Sequence, residues 1–318
     1  MTESLGILFA LLTMLSWSIC IFPFTQAARR LGSNSLNHLR LLFAVFFLGI
    51  ANLLLNMNFF LNMFSSMYAY NWFWLGFSGI VGLTIGDFFA FRMYAILSPR
   101  TGSVLTTLSP AASLAAAYLL LGETINGFGI VGMFITMVGV MGISLGRKER
   151  NKIPDHGHGS VLAGIVFGIL SAICQGVGLV LSKKGMINGT LTVPPLPATF
   201  IRITVGFTSL LLFTIIQGKL RTVIRPILSN QDKGIKYAVM GTIFGPFLGV
   251  CLSLYTISNL DVSVGQTIFS LMPVSALLIS VLFFREKVTW QSLVGVVVAI
   301  AGVMILIWRS RLQEIFFS

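Results

Sequence analysis

Charge is what this sequence has least of. Only 9% of its 318 residues are Asp, Glu, Lys or Arg, against 56% hydrophobic, and the mean hydropathy is +0.92. Soluble domains average about 25% charged residues, so there is too little charge here to cover a water-facing surface. Acids are the scarcer sign, 9 against 21 bases, which leaves a formal net charge of +12. A basic excess of that size suits a nucleic-acid binder. Here, however, the cations fall in short breaks between long apolar runs, where they read as membrane-flanking charge, and no nucleic-acid partner is expected. Cys20, Cys174 and Cys251 all lie inside apolar runs, which excludes a disulfide framework or a zinc spacing. A Walker loop, an HExxH helix, a paired-carboxylate site and a nucleophile beside a base are also missing. No catalytic residue, cofactor or metal site is therefore expected, and the chain does not read as an enzyme. His156 and His158 in HGHG have no third ligand nearby and read as part of a flexible loop.

What the sequence has in abundance is apolar runs of membrane-crossing length. A helix needs about 20 apolar residues to cross the hydrocarbon layer, because in lipid only closed backbone hydrogen bonding survives. Reading the runs against Gly, Pro, Asn and charge predicts ten spans: 5–24, 39–56, 73–95, 102–121, 127–146, 160–182, 198–217, 237–256, 262–284 and 288–308. The first is read as a span and not as a cleaved leader, since Glu3 and no basic residue precedes it. Among the connecting loops, 218–236 carries Lys219, Arg221, Arg225, Lys233 and Lys236 and is expected along the interface. Asn188-Gly-Thr190 fits both a glycosylation sequon and an ordinary Asn-Gly turn.

Self-comparison reveals a repeat. A shift of 163 sets Pro110 on Pro273, Glu123 on Glu286, Gly132 on Gly295 and Gly139 on Gly302. Slightly smaller shifts match Arg40 to Arg202 and Tyr94 to Tyr255. The order is the same in both halves: Arg opening a span, Tyr ending one, a mid-span Pro, Glu at the exit, then spaced Gly. Each half holds five spans, an odd number, so the second copy enters the membrane inverted. Inverted repeats mark transporters that expose one site to either side in turn, and corresponding interrupted helices point to that site. Pro110 and Pro273 are such a pair and are the hinge candidates: a mid-helix Pro frees the carbonyl one turn back. A plain packing kink is the competing reading.

These residues resemble the drug/metabolite transporter superfamily, in its EamA-like ten-helix branch. The strongest stretches are 94–140, containing LSPAASLAAAYLLLGE, and 255–303, containing SLMPVSALLISVLFFRE, where Arg285-Glu286 replaces Gly-Glu. Weaker matches are Ser16-Trp17 and Ser171-Ala172, each pair followed 12 residues later by Arg29 or Lys184. The resemblance implies an all-α membrane fold of ten helices, two inverted five-helix repeats around a central cavity. The repeats would be 1–146 and 160–308, joined by a basic linker at 147–159 and followed by a short tail, 309–318. It further implies a secondary transporter, often an exporter of amino acids or other small metabolites.

An ionisable residue at mid-span costs about 2.5–3.5 kcal/mol on the insertion scale and so faces a cavity or a partner. Asp87 is the acid that lies well inside a span, after Gly82 and Gly86. It is either a proton-titrating or cation-binding carboxylate, or one half of a structural pair with Arg40, Arg92 or Arg202. Arg92, five positions on, is poorly placed for that. The second half has no equivalent acid, with Pro246, Phe247 and Leu248 in that region. Gln175 and Gln266 are mid-span amides expected to line the substrate path or bond across helices. Trp17, Ser109 and Ser270 are further substrate or ion-binding candidates. Tyr94 and Tyr255 read as interfacial belt residues. Glu123 and Glu286 read as caps for the helices that follow them, and Arg40 and Arg202 as cations snorkelling to the interface. The Gly241-Gly245-Gly249 row reads as a packing face.

Sixteen Lys and Arg fall on the side of the 147–159 and 218–236 loops and five on the side of the termini. The positive-inside rule therefore puts the termini outside, whereas the resemblance implies cytoplasmic termini. The expected function is secondary active transport of a small polar metabolite such as an amino acid in a bacterial cytoplasmic membrane, with protons as the candidate coupling ion. A nucleotide-sugar or lipid-linked-sugar carrier or flippase of the same superfamily is the alternative. An integral-membrane enzyme is the weakest reading.

Overall fold

The computed structural model describes residues 2–97, 99–146, 160–189, 191–230, 233–284 and 288–317. Among these, ten helical segments are long and apolar enough to cross a membrane: Glu3–Leu31, Ser33–Leu55, Ser66–Ile96, Gly102–Leu121, Gly127–Ser144, Val161–Met186, Pro195–Ile216, Gly234–Asn259, Val262–Ile279 and Trp290–Ile307. The chain is thus an all-α membrane protein with the expected ten spans. The 147–159 linker, His156, His158, Arg285 and Glu286 lie outside the described residues. The Asn188-Gly189 step forms the turn of a two-stranded ribbon, β1 (Ile187–Asn188) pairing antiparallel with β2 (Leu191–Thr192). Gly189 takes a left-handed φ of 59° there, which favours a residue without Cβ.

In the first half, three spans are continuous helices: α1 (Thr2–Leu31), α2 (Ser33–Leu55) and, further on, α8 (Gly127–Gly146). A short α3 (Met57–Asn62) follows α2. The third span is composite. It runs as α4 (Ala69–Gly79), one π-helical stretch over Ile80–Gly86, then α5 (Asp87–Ile96). The fourth is broken into α6 (Pro99–Thr106) and α7 (Ser109–Leu121). The second half carries α9 (Val161–Met186), α10 (Pro195–Ile216) and a surface helix α11 (Leu220–Ser229). Its eighth span is again composite: α12 (Gly234–Thr242), a π stretch over Ile243–Gly249, and α13 (Val250–Asn259). The ninth is again broken, into α14 (Val262–Phe269) and α15 (Met272–Phe284). The chain ends with α16 (Trp290–Ile307) and α17 (Arg309–Phe317). Adding 163 to the bounds of the first π stretch, α5, α6 and α7 returns those of the second π stretch, α13, α14 and α15. The repeat in side chains is therefore also a repeat in where the backbone changes its hydrogen-bond register.

The two prolines sit differently from the expectation of a mid-helix kink. Pro110 and Pro273 are the second residues of α7 and α15, where a missing N–H interrupts no intrahelical bond. The break itself falls just before them. Leu108 N and Leu271 N bond carbonyls three residues back, Leu105 and Ile268. The Thr106 carbonyl, one turn before Pro110, accepts from Ser109 Oγ at 2.9 Å.

The described residues fall into two compact units. The first comprises Met1–Thr84 and Gly178–Asn259, the second Ile85–Val177 and Leu260–Ser318. In the first unit α1 packs on α12, the second π stretch and α13, and α2 packs on α10. The glycine row of the eighth span is the seam with α1. A Cβ would overlap the Phe24 ring at Gly241, lie 2.9 Å from it at Gly245, and overlap the Trp17 ring at Gly249. That is the expected packing face. In the second unit α8 and α16 approach backbone to backbone. A Cβ at Gly139 would overlap the Ala299 backbone, and one at Gly302 would overlap Thr136 N. Without a hydrophobic drive inside lipid, such small-residue seams supply the van der Waals contact that holds helices together.

Candidate functional site

The third span delivers its carboxylate through the π turn. Ahead of that turn, within the first unit, the helix is drawn tight against α10 and the end of α9. A Cβ on Gly79 would overlap the Arg202 carbonyl oxygen, and one on Gly178 would sit 3.1 Å from Gly82 Cα. Thr84 Oγ1 reaches the Gly206 carbonyl at 3.1 Å and Ser209 Oγ at 2.5 Å. Arg202 corrects an expectation. It stands eight residues into its helix, is 4% exposed, and donates from one terminal nitrogen to Ser182 Oγ at 2.8 Å. It is a buried residue of the seam and not a cation snorkelling from a span end.

Beyond the turn, in the second unit, Asp87 opens α5 half-buried. Nine residues separate it from the end of its span at Ile96, about 14 Å at 1.5 Å per residue, so it lies well inside the span. Gln175 Nε2 donates to Asp87 Oδ1 at 3.2 Å. One turn earlier on α9, Ser171, 2% exposed, donates to the Gly86 carbonyl at 3.0 Å. Two polar groups on one face of α9 thus hold the last carbonyl of the π stretch and the first side chain after it. Gly176 brings the same helix onto the start of α7: a Cβ there would meet Ser113 N at 2.7 Å and the Ser109 carbonyl at 2.8 Å. Neighbouring residues of α9 thus touch the third span through Gln175 and the fourth through Gly176, within this unit. Arg92 lies with its guanidinium over the Phe88 ring, 5.5 Å from the centroid.

The other candidates are distributed more widely. Ser270 Oγ donates to the Thr267 carbonyl at 2.6 Å, across the break between α14 and α15. Gln266 is half-buried on α14, whose neighbours include α7 and α8. Trp17, in the first unit, packs over Gly249. Tyr94 is 41% exposed, and the Tyr255 ring meets Phe9 in a tilted pair with centroids 5.2 Å apart. Arg40 donates from Nε to Asn37 Oδ1 at 2.8 Å. Among the described residues no group of three or more His, Cys, Asp or Glu is arranged to hold a metal ion.

Glu123 is a cap, but not of the helix after it. Its Oε2 accepts the Val262 N–H at 2.9 Å, the first amide of α14. The helix that follows, α8, is capped by Asn126 Oδ1, which accepts from Gly129 N at 2.9 Å. The left-handed Gly122 (φ 70°) that ends α7 turns the chain so that Glu123 leaves the helix axis. Local sequence pattern found the role and missed the partner. It also missed Ser171, whose only signal was the weak match of Ser171-Ala172 to Ser16-Trp17.

Comparison with known proteins gives a consistent picture. The model of the EamA-like transporter family matches residues 4–145 and 162–308. A protein of Clostridium kluyveri described as an uncharacterized transporter is 25% identical over 234 residues, 73% of this chain and 71% of its own. A solved protein crystal structure superposes with a TM-score of 0.70 over 97% of this chain and 99% of that one, at 17% identity, a likeness of fold alone.

Proposed function

Since the chain belongs to the EamA-like transporter family, we propose that this membrane transporter carries a small polar metabolite, such as an amino acid, by secondary active transport. In this reading the repeats 1–146 and 160–308 are inverted copies that alternate access to a central cavity, and the direction is export. Asp87 is the titrating or coordinating group. The observation that carries this is the pairing of Asp87 with Gln175 well inside the third and sixth spans. A mid-span carboxylate within hydrogen-bond reach of an amide is the kind of group that takes a proton or binds a cationic substrate group. Ser109, at the start of α7 and against Gly176 of the sixth span, is a lining group. Gln266 and Ser270 serve as lining on the ninth span, and Pro110 and Pro273 mark the broken helices that move. The orientation follows the Lys and Arg bias, with the 147–159 and 218–236 loops in the cytoplasm.

The test begins with a thermal-shift screen of purified protein against amino acids, nucleosides and sugars, since a bound ligand raises Tm whatever the transport direction. The ligand found is then followed in proteoliposomes across a pH gradient. Asp87→Asn is expected to retain the fold and lose pH-dependent transport. Unchanged uptake with unchanged pH dependence removes Asp87 from the mechanism. A C-terminal fluorescent-protein fusion tests the orientation: bright cytoplasmic fluorescence overturns it.

A further inference from the structure

The cations that transport leaves unused gather at one end of the first unit. There α11 follows the seventh span after a left-handed Gly218 (φ 67°). Its inner face is fixed. Val223 is 4% exposed, and Ile227 packs on the cluster of Ala27, Leu31, Leu36, Leu39 and Ala238. The buried Ser35 donates its hydroxyl to the Val223 carbonyl at 2.8 Å. The helix is therefore bolted to the end of α1 and the starts of α2 and α12, and does not hang free.

Its outer side is ordered around the axis. Next to the buried face come Ile224 and Leu228, four residues apart, 39% and 80% exposed. Beside them stand Arg221 and Arg225, also four apart and exposed, and then Thr222 and Ser229. Core, bare apolar, cationic, polar is the sequence of environments met on passing from protein through acyl chain and headgroup to water. A free anion would use the arginines alone and would give no reason for bare Leu228 at their side. Lys219, Lys233, Lys236 and Arg29 are exposed around the same end. Among the described residues of this unit the one acid is Glu3, in the first turn of α1, whereas Arg29 is in the last. No described carboxylate offsets this surface; Asp232, between α11 and α12 in sequence, lies outside the described residues.

We propose that α11, with Lys219, Arg221 and Arg225, is a binding surface for the headgroups of anionic phospholipids, with Ile224 and Leu228 inserted among their acyl chains. Each cation near an anionic membrane surface contributes about a fivefold gain in affinity. The surface acts from the cytoplasmic leaflet if the orientation above holds, but its lipid preference does not depend on which way the chain carries its substrate.

The experiment uses the full chain in neutral detergent, titrated separately with phosphatidylglycerol and phosphatidylcholine and read by native mass spectrometry. Phosphatidylglycerol adducts are expected to dominate. Arg221→Gln with Arg225→Gln should weaken them roughly thirty-fold. Leu228→Ser should weaken them without altering charge, and Arg311→Gln on α17 should leave them unchanged. Equal retention of the two lipids, or unchanged phosphatidylglycerol binding in the double variant, overturns the proposal. So does displacement of the lipid by equimolar inorganic phosphate, which would assign the arginines to a free anion. Should the double variant fail to fold, Leu228→Ser alone decides: phosphatidylglycerol binding as strong as in the unaltered chain overturns the proposal.

Discussion

The two π-interrupted spans share a backbone and differ in what they present. Ile80–Gly86 and Ile243–Gly249 stand 163 residues apart, each seven residues long and each ending in glycine. After the first comes Asp87, and after the second comes Val250, 9% exposed. Each stretch has a carbonyl taken by a serine from the opening span of the other sequence half: Gly86 by Ser171 at 3.0 Å, Phe244 by Ser16 at 2.5 Å. The clamped carbonyl is the last of the stretch in one case and the second in the other. Pro246, which has no N–H to give, occupies the middle of the second stretch. The difference teaches that the register change is common to both copies, whereas the carboxylate stands in one alone. Local departures from α geometry of this kind are frequent at functional sites, and here only one of the pair has been given a titratable group.

The strongest way to break the comparison is to put the missing acid into the second copy. Val250→Asp buries a charge with no Gln175 counterpart, and should cost about 3 kcal/mol. It would be read as a fall in Tm of the purified protein. An unchanged Tm would mean that the position after either π stretch tolerates an acid and that the asymmetry carries no information. Next in size is Gly249→Ala, whose Cβ would overlap the Trp17 ring. Overpacking of that kind costs about 2 kcal/mol, and a Trp17→Ala background should rescue the substitution in the sense that Gly249→Ala then costs little beyond Trp17→Ala alone. Failure of that rescue would place the strain in the π stretch itself.

The smallest effect is also the most discriminating. Ser16→Ala and Ser171→Ala each remove one interhelical hydrogen bond, so each should cost about 1 kcal/mol or less. Their stability losses should match, yet only Ser171→Ala should move the pH dependence of ligand binding, because only that clamp adjoins Asp87. Equal pH behaviour in the two variants would reduce Ser171 to a packing residue.

The spans were legible because lipid imposes length and hydropathy together: the predicted 102–121 agrees at both ends with the helical segment Gly102–Leu121. Ends were less legible where polar or aromatic residues continue a helix. The first span runs on to Leu31 past Arg29 and Arg30, and the third begins at Ser66, well before the apolar run from residue 73. The π stretches leave no trace in hydropathy, since a change of hydrogen-bond register alters no composition. Of the candidate site, Asp87 and Gln175 stood out as polar groups at mid-span, but their pairing across 88 residues of sequence was not visible. Arg202 misled for a simpler reason: its helix starts at Pro195, so a residue taken for the span's edge lies two turns inside.

Glu123 adds a consequence in time. Its carboxylate holds the first amide of α14, a residue made 139 positions later. A chain emerging from the ribosome therefore has this acceptor in place before the ninth span exists. When Val262 is made, the acceptor for its amide is already part of the chain, so the start of the ninth span is capped by an older element and not by its own sequence.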